Sequence, residues 1–146
     1  MVYLTNSDKE TEDVGRRLAE ALEQNGVGRA TIAMKGEMGV GKTAFCRGFA
    51  SYFDIEGVRS PTFTVVNEYR GRARIYHFDT YRITDGDDLY SIGFDDYIES
   101  EGYCIIEWSE NIEEYLPDDA ITVKISRVAG EDNGREIFID YDNLGV

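Results

Sequence analysis

The residues best suited to chemistry lie in a glycine-rich segment, residues 36–43, with the sequence G-E-M-G-V-G-K-T. This segment matches the pattern G-x-x-x-x-G-K-T in full. Glycines let the backbone wrap closely around an anion, so that its N–H groups converge on phosphate oxygens. The Lys42 ammonium can contact the β- and γ-phosphates of a nucleotide, and the Thr43 hydroxyl can ligate Mg²⁺. The segment therefore predicts a cradle for nucleotide phosphates.

The flanking residues support the motif, because an apolar run at residues 30–34 precedes it and a helical pattern at residues 42–53 follows it. A glycine-rich turn that matches by chance would lack this context. The N-terminus of the helix adds a partial positive charge at the same place. We predict that ATP or ADP binds here with Mg²⁺, against the positions of the loop and the first helical turn: Glu37, Met38, Gly39, Val40, Gly41, Lys42, Thr43 and Ala44.

Two acidic residues are candidates for contact with the metal. Asp79 follows the apolar segment I-Y-H-F, and Glu107 follows the apolar segment Y-C-I-I. Carboxylates at the C-terminal edge of a parallel sheet lie where ligands normally bind. An acid at a strand end can also be a simple cap or a solvated side chain. Spacing alone does not rank the two.

The elements that must position these residues alternate between helices and strands. The capping box S-x-x-E at residues 7–10 opens an amphipathic helix that ends at Asn25-Gly26. Residues 87–99 predict one or two short helices with a break at Gly93. Besides residues 30–34, strands are predicted at residues 62–69, 73–79, 103–108, 121–126 and 136–140. This order predicts one α/β domain over residues 1–146, a P-loop NTPase sandwich. Its sheet would be mainly parallel with antiparallel edge strands, and helices would cover both faces.

Composition limits the partners and the compartment. The net charge is -14, with 15 basic against 29 acidic residues, which argues against independent binding to nucleic acid. Cys46 and Cys104 lie in apolar segments without zinc-ligand spacing, as expected for buried thiols in a reducing compartment. The first residues do not have a signal-peptide pattern, and no apolar run approaches the roughly 20 residues that span a bilayer. We predict a cytoplasmic protein without membrane association.

Three kinds of nucleotide-binding protein other than a simple ATPase also contain such a loop. A Ras-type GTPase needs N-K-x-D, and no asparagine in this chain is followed by lysine. A small-molecule kinase needs arginines on a lid, and an arginine cluster in this chain could supply them. However, only about 100 residues follow the loop, which leaves little room for a substrate pocket. A nucleotide-gated interaction module without useful hydrolysis also fits the loop. The arginine cluster consists of Arg70, Arg72, Arg74 and Arg82.

The chain resembles the TsaE (YjeE) family along nearly its whole length. The resemblance is carried by successive segments in order: G-E-M-G-V-G-K-T at residues 36–43, S-P-T-F-T at 60–64, H-F-D-T-Y-R at 77–82 and I-E-W at 106–108. The early T-x-x-x-G at residues 11–15 and the late G-R-E at 134–136 are similar as well. The resemblance implies a small, weak ATPase required for threonylcarbamoyladenosine modification of tRNA beside the anticodon. It implies ATP-dependent association with the TsaD and TsaB proteins, and contact with tRNA only through that complex.

The resemblance also implies roles for individual residues. Thr43 and Glu107 resemble the Mg²⁺ ligands, Asp79 resembles a second acid important for hydrolysis, and residues 60–64 resemble a switch-like loop near the γ-phosphate. Thr11 and Arg135 fall where the family approaches the nucleotide outside the loop. Lys42, Asp79 and Glu107 are thus the expected catalytic residues. His77 is the only histidine, and its mid-strand position favours a structural role.

Overall fold

The computed structural model describes residues 1–37, 39–61, 65–83 and 85–144 of the chain. Within these ranges the chain forms seven strands and four α-helices. The strands are β1 Val2–Thr5, β2 Arg29–Lys35, β3 Val66–Arg70, β4 Arg74–Asp79, β5 Gly102–Glu107, β6 Ile121–Arg127 and β7 Arg135–Ile139. The helices are α1 Asp8–Gln24, α2 Lys42–Tyr52, α3 Gly86–Ser91 and α4 Phe94–Glu99, with 3₁₀ helices at Ser109–Tyr115 and Tyr141–Leu144.

The strands form one sheet in the order β1-β7-β6-β2-β5-β4-β3. The central strands β6, β2, β5 and β4 pair in parallel. The other three pairs, β1–β7, β6–β7 and β3–β4, are antiparallel. The sheet is therefore mixed, with a parallel centre and antiparallel pairs toward both edges, in agreement with the predicted parallel sheet with antiparallel edge strands. Short connections between β3 and β4 and between β6 and β7 account for two of the antiparallel pairs, because a parallel pair requires a long crossover.

Alternate residues of the central strands face opposite sides of the sheet. Tyr103 and Ile105 of β5 pack into the cluster that contains the apolar faces of α1 and α2. Cys104 and Ile106 pack into a second cluster with residues from α3, α4 and the first 3₁₀ helix. Helices therefore cover both faces, as the sequence pattern predicts.

The α1–α2 pair depends on two glycines at the helix crossing. A Cβ atom on Gly48 would lie 1.8 Å from the carbonyl oxygen of Glu12, and one on Gly15 would lie 2.2 Å from that of Phe45. Real Cβ atoms do not approach backbone atoms so closely, so only glycine allows this crossing. The close contact fixes α2, and with it the loop that precedes α2, against α1.

Local signals set several element ends as predicted. The Ser7 hydroxyl accepts a hydrogen bond from the Glu10 N–H at 3.1 Å and caps α1. Gly26 and Gly93 have φ values of 72° and 76° at the ends of α1 and between α3 and α4. The predicted strand at residues 62–69 begins outside the described residues, and β3 is observed from Val66. Strand β1 and the first 3₁₀ helix have no counterpart in the sequence prediction. Among the described residues, no helix has the length and apolar character needed to cross a bilayer.

Candidate functional site

The glycine-rich loop connects the end of β2 at Lys35 to the start of α2 at Lys42. Gly36, Gly39 and Gly41 have φ values of 147°, 74° and 115°, which side chains rarely allow. A Cβ atom on Gly36 would also lie 2.5 Å from the carbonyl oxygen of Ile125. Glycine is therefore required by the backbone at these positions. Met38 lies outside the described residues.

The N-terminus of α2 faces a cavity of about 440 Å³. Gly41, the N-cap, makes no side-chain capping bond, and the first N–H groups of a helix have no partner within the helix. Those donors and the partial positive charge of the helix end suit an anion. Of the predicted loop positions, Gly39, Gly41, Lys42, Thr43 and Ala44 line this cavity.

Lys42 is held at the cavity wall with only 5% of its surface exposed. Its Nζ donates to the Gly36 carbonyl oxygen at 2.8 Å and lies 3.9 Å from the centre of the Trp108 ring. Burial lowers the pKa of Lys42, while the nearby carboxylates of Glu107, Glu110 and Asp79 oppose that shift. A largely desolvated ammonium with one carbonyl partner is well placed to attract an anion.

Thr43 is in contact with the segment that the family resemblance describes as a switch-like loop. Its Oγ1 lies 2.6 Å from the Oγ of Ser60, and both residues line the cavity. Residues 62–64 of that segment lie outside the described residues. The hydroxyl expected to ligate Mg²⁺ is thus tied to the start of the segment.

The two candidate acids lie side by side at the carboxyl ends of adjacent strands. Asp79 of β4 and Glu107 of β5 are register partners, and both line the cavity. Glu107 is only 6% exposed. Asp79 is half-buried, and its Oδ1 accepts a hydrogen bond from the Tyr81 N–H at 2.9 Å. The two acids therefore differ: Asp79 also stabilises a turn, whereas Glu107 presents a buried carboxylate.

His77 lies directly behind Glu107. The distance from His77 Nε2 to Glu107 Oε2 is 2.5 Å, and the Cys46 Sγ lies 3.7 Å from the same nitrogen. Burial lowers the pKa of His77, but the contacts with Cys46 and Glu107 raise it well above its ordinary value. Burial raises the pKa of the Cys46 thiol. Cys46 and Glu107 thus both contact Nε2 of His77.

The oxygen donors at the cavity suit Mg²⁺. A hydroxyl from Thr43 and a carboxylate from Glu107 are hard ligands of the kind that this ion prefers. No group of three or more His, Cys, Asp or Glu side chains with metal-site geometry occurs in the described part of the chain. Mg²⁺ is usually held by one or two carboxylates together with phosphate oxygens, so the donor set fits an ion shared with a nucleotide.

The positions predicted outside the loop flank it. Thr11 is buried and shares a 2.9 Å hydrogen bond with the Thr5 hydroxyl, and Arg135 Nε donates to the Val40 carbonyl oxygen at 2.9 Å. Thr11 and Arg135 line a second cavity of about 300 Å³ beside the first. Glu37 behaves differently: its side chain is 82% exposed and accepts a hydrogen bond from Arg127 at 2.9 Å. Glu37 therefore does not line the main cavity, unlike the loop positions from Gly41 to Ala44.

Sequence reasoning missed two residues of the cavity wall, Arg47 and Asp8. Arg47 follows Thr43 by four residues on α2 and so lies on the same helix face. Its Nε donates to Glu12 of α1 at 3.0 Å. The helical spacing was the signal that could have identified Arg47. Asp8 reaches the cavity only because α1 packs on α2, and no sequence signal indicated that.

The arginine cluster of the sequence is not a cluster in the structure. Arg70 and Arg74 pair at one end of the β3–β4 hairpin, whereas Arg82 follows Asp79 at the other end of β4. At about 3.3 Å per residue, these two ends are about 17 Å apart. Arg72 is an ion-pair partner of acidic side chains near the hairpin turn. The four arginines therefore do not form a single lid.

The fold and the loop define an α/β protein whose candidate anion site lies at the carboxyl ends of central parallel strands, before a helix N-terminus. Residues 5–137 match the family model of "Threonylcarbamoyl adenosine biosynthesis protein TsaE". The chain belongs to the TsaE family.

Curated relatives and a solved structure agree with this assignment. Several bacterial proteins named "tRNA threonylcarbamoyladenosine biosynthesis protein TsaE" are similar to the chain. The Bacillus subtilis protein is 37% identical over 143 residues, covering 97% of this chain and 86% of the relative. The Haemophilus influenzae protein is 38% identical over 135 residues, covering 90% and 84%. The crystal structure of YdiB from Bacillus subtilis superimposes with a TM-score of 0.78 at 30% identity, covering 99% of this chain and 90% of that one.

Proposed function

We propose that this chain is a P-loop ATPase domain that binds ATP or ADP with Mg²⁺ and hydrolyses ATP slowly on its own. The observation that carries the proposal is the convergence of Lys42, Thr43 and Glu107 on one cavity of about 440 Å³ at the N-terminus of α2. An ammonium, helix N–H donors and hard oxygen ligands are the groups that phosphoryl transfer requires. The carboxyl end of a parallel sheet is also the usual place for such a ligand.

Each residue has a role that follows from its position. Lys42 and the loop N–H groups would bind the β- and γ-phosphates and offset the charge that develops during hydrolysis. Thr43 and Glu107 would hold Mg²⁺, which neutralises phosphate charge when bound. Asp79 would orient the attacking water or stabilise the adjacent segment. Thr11 and Arg135 would contact the nucleotide from the flank of the loop.

Two internal contacts support slow turnover by the isolated chain. The Lys42 ammonium is bound to the Gly36 carbonyl oxygen, and the Thr43 hydroxyl is bound to Ser60. A nucleotide with its metal has to exchange both contacts before the groups take up their catalytic positions. A partner that favours the exchanged arrangement would accelerate hydrolysis. Hydrolysis would then act as a conformational switch.

The cellular role that we propose is the threonylcarbamoyladenosine modification of tRNA next to the anticodon, in the cytoplasm. The names of the relatives support this process. We propose that the chain acts through ATP-dependent association with the TsaD and TsaB proteins and touches tRNA only through them. The net charge of -14 supports docking on protein in preference to RNA. The separated arginines remove the observation that favoured a small-molecule kinase.

A pull-down with purified TsaD–TsaB tests the proposal. Tagged chain is incubated with the complex in Mg²⁺ and ATP, Mg²⁺ and ADP, or no nucleotide. We expect ATP to increase the recovered TsaD–TsaB, and we expect Thr43→Ala to abolish that increase. Arg72→Ala is the matched control, because Arg72 lies away from the cavity and should behave like wild type.

Three outcomes would contradict parts of the proposal. Equal recovery with and without ATP for wild type would rule out nucleotide-dependent association. ATP-dependent recovery with phosphate release at background, alone and in the complex, would indicate an interaction module in place of an ATPase. Transfer of phosphate to a metabolite would indicate a kinase.

A further inference from the structure

The His77 imidazole has no role in the site as described so far. It is 0% exposed and does not line the cavity, so it cannot touch a nucleotide there. Its ring lies between the sheet and α2, because β4 places His77 on the same face as Ile75, which packs against α1 and α2. A polar ring buried in that apolar layer is expected to have a hydrogen-bonding or functional role.

The sheet register brings His77 to Glu107. His77 pairs with Ile105 on β5, and Glu107 is two residues further along the same strand and on the same face. Diagonal neighbours of this kind are within reach of long side chains. His77 Nε2 and Glu107 Oε2 lie 2.5 Å apart, which is within hydrogen-bonding distance.

The hydrogen bonding of His77 is directed to this one corner. Nδ1 is buried without a hydrogen-bond partner in the described part of the chain. Nε2 contacts Glu107 and, at 3.7 Å, the Cys46 sulfur, which in turn lies 3.6 Å from the Met34 sulfur. A histidine whose role were purely structural would be expected to have both ring nitrogens bonded. The ring instead directs a close hydrogen bond to Glu107, with the Cys46 sulfur beside the same nitrogen.

We infer that His77 is a positioning residue: its Nε2–H fixes Oε2 of Glu107 and leaves Oε1 to face the metal side of the cavity. Among the described residues, Oε1 of Glu107 has no hydrogen-bond partner. This inference rests on the proposed function, since Glu107 is assigned there as an Mg²⁺ ligand. Groups that orient a metal ligand from behind typically change metal affinity by about 10- to 100-fold when they are removed.

The test compares His77→Leu with His77→Gln. Leucine removes the donor at similar volume, whereas the glutamine amide N–H can reach the former position of Nε2. Calorimetric titration measures the affinity for a non-hydrolysable ATP analogue in Mg²⁺ and in EDTA. We expect His77→Leu to reduce the gain in affinity that Mg²⁺ provides by about 10-fold or more, and to leave the affinity in EDTA unchanged. His77→Gln should retain most of the gain, and so should Cys46→Ala, which leaves the bond to Glu107 intact.

Two results would overturn the inference. One is a wild-type Mg²⁺ gain in folded His77→Leu. The other is a loss in His77→Gln equal to that in His77→Leu, since that would indicate packing and not the donor. Circular dichroism establishes that each variant is folded.

A second measurement is independent of nucleotide and separates this inference from the proposed function. In a double-mutant cycle, thermal unfolding is compared for His77→Leu, Glu107→Met, which removes the acceptor at similar length, and the double variant. We expect the double variant to lose less stability than the sum of the two single losses. Additive losses would overturn the inference even if ATP binds. In another outcome, wild type binds no nucleotide although the two residues are coupled in stability. That result would contradict the proposed function and the role of His77 in metal binding, but it would agree with a His77–Glu107 hydrogen bond.

Discussion

Two cavities of about 440 Å³ lie at opposite ends of the central parallel strands. The cavity at the carboxyl ends is lined by Lys42 and Glu107, and the one at the amino ends is lined by Arg72. Both contain a cation and an acid. Their volumes are equal, so volume does not identify the functional site.

The two cavities differ in how far their charged side chains are exposed to solvent and in how these side chains are paired. At the amino ends, Arg72 forms ion pairs with Glu23 and Asp54 at 3.0 Å each, and these three side chains are 45%, 44% and 72% exposed. The hydrogen bond to Glu23 raises the pKa of Arg72. At the carboxyl ends, Lys42 and Glu107 are 5% and 6% exposed. Solvated ion pairs such as those of Arg72 contribute little to the free energy of unfolding. Buried charges beside helix N–H groups cost stability and are typical of binding sites.

The largest expected effect is at Lys42. We expect Lys42→Ala to lose a charge-assisted phosphate contact, at a cost of about 1.5–3 kcal/mol. This corresponds to a loss of roughly 10- to 150-fold in ATP affinity, which calorimetric titration measures. Arg72→Ala is the control from the opposite cavity and should bind ATP like wild type. Unchanged affinity in Lys42→Ala, or an equal loss in Arg72→Ala, would contradict the assignment of the two ends.

A smaller, more selective effect should separate the two acids at the carboxyl ends. Glu107→Gln keeps the side-chain volume and removes the charge, so we expect a weaker Mg²⁺ dependence of ATP binding with the fold intact. Asp79→Asn should change that dependence less, because Asp79 is half-buried and also caps a turn through the Tyr81 N–H. Titration of Mg²⁺ at fixed ATP distinguishes the variants. Loss of the Mg²⁺ dependence in Asp79→Asn alone would reverse the ranking.

The smallest expected effect concerns stability at the amino ends. Arg72→Ala removes two solvated ion pairs and the contact of the guanidinium with the Tyr52 ring. We expect a small decrease in Tm that diminishes further at high salt, because salt screens exposed charges. Differential scanning calorimetry at two ionic strengths measures it. A large, salt-independent loss would show that this end holds a structural centre and not a solvated network.

Much of the fold was predictable because its signals are local. The loop glycines, the start of α2 at Lys42 and the break at Gly93 depend on backbone conformations that few residues adopt. Strand β1 was missed because four residues carry too little pattern, and they form a strand only by pairing with β7. The antiparallel edges were predicted, but the order of the strands was not, because it depends on which strands become neighbours in the folded chain.

The site was predictable to a lesser degree. Lys42, Thr43 and the two acids were found from motif and strand ends, but their spacing did not separate Asp79 from Glu107. The two acids differ in burial and in the 2.5 Å contact between Glu107 and His77, two residues that are 30 positions apart in the chain. Arg72 and Arg82, close in sequence, proved to lie toward opposite ends of one strand.

The sequence by itself determined where the backbone must turn tightly before α2 and which side chains stand at that turn, since glycine conformation and helix initiation are properties of neighbouring residues. Tertiary structure alone decided which charges are buried, which are solvated and which acid is supported from behind. The physical reason is that desolvation and hydrogen bonding depend on surroundings that residues distant in the chain supply.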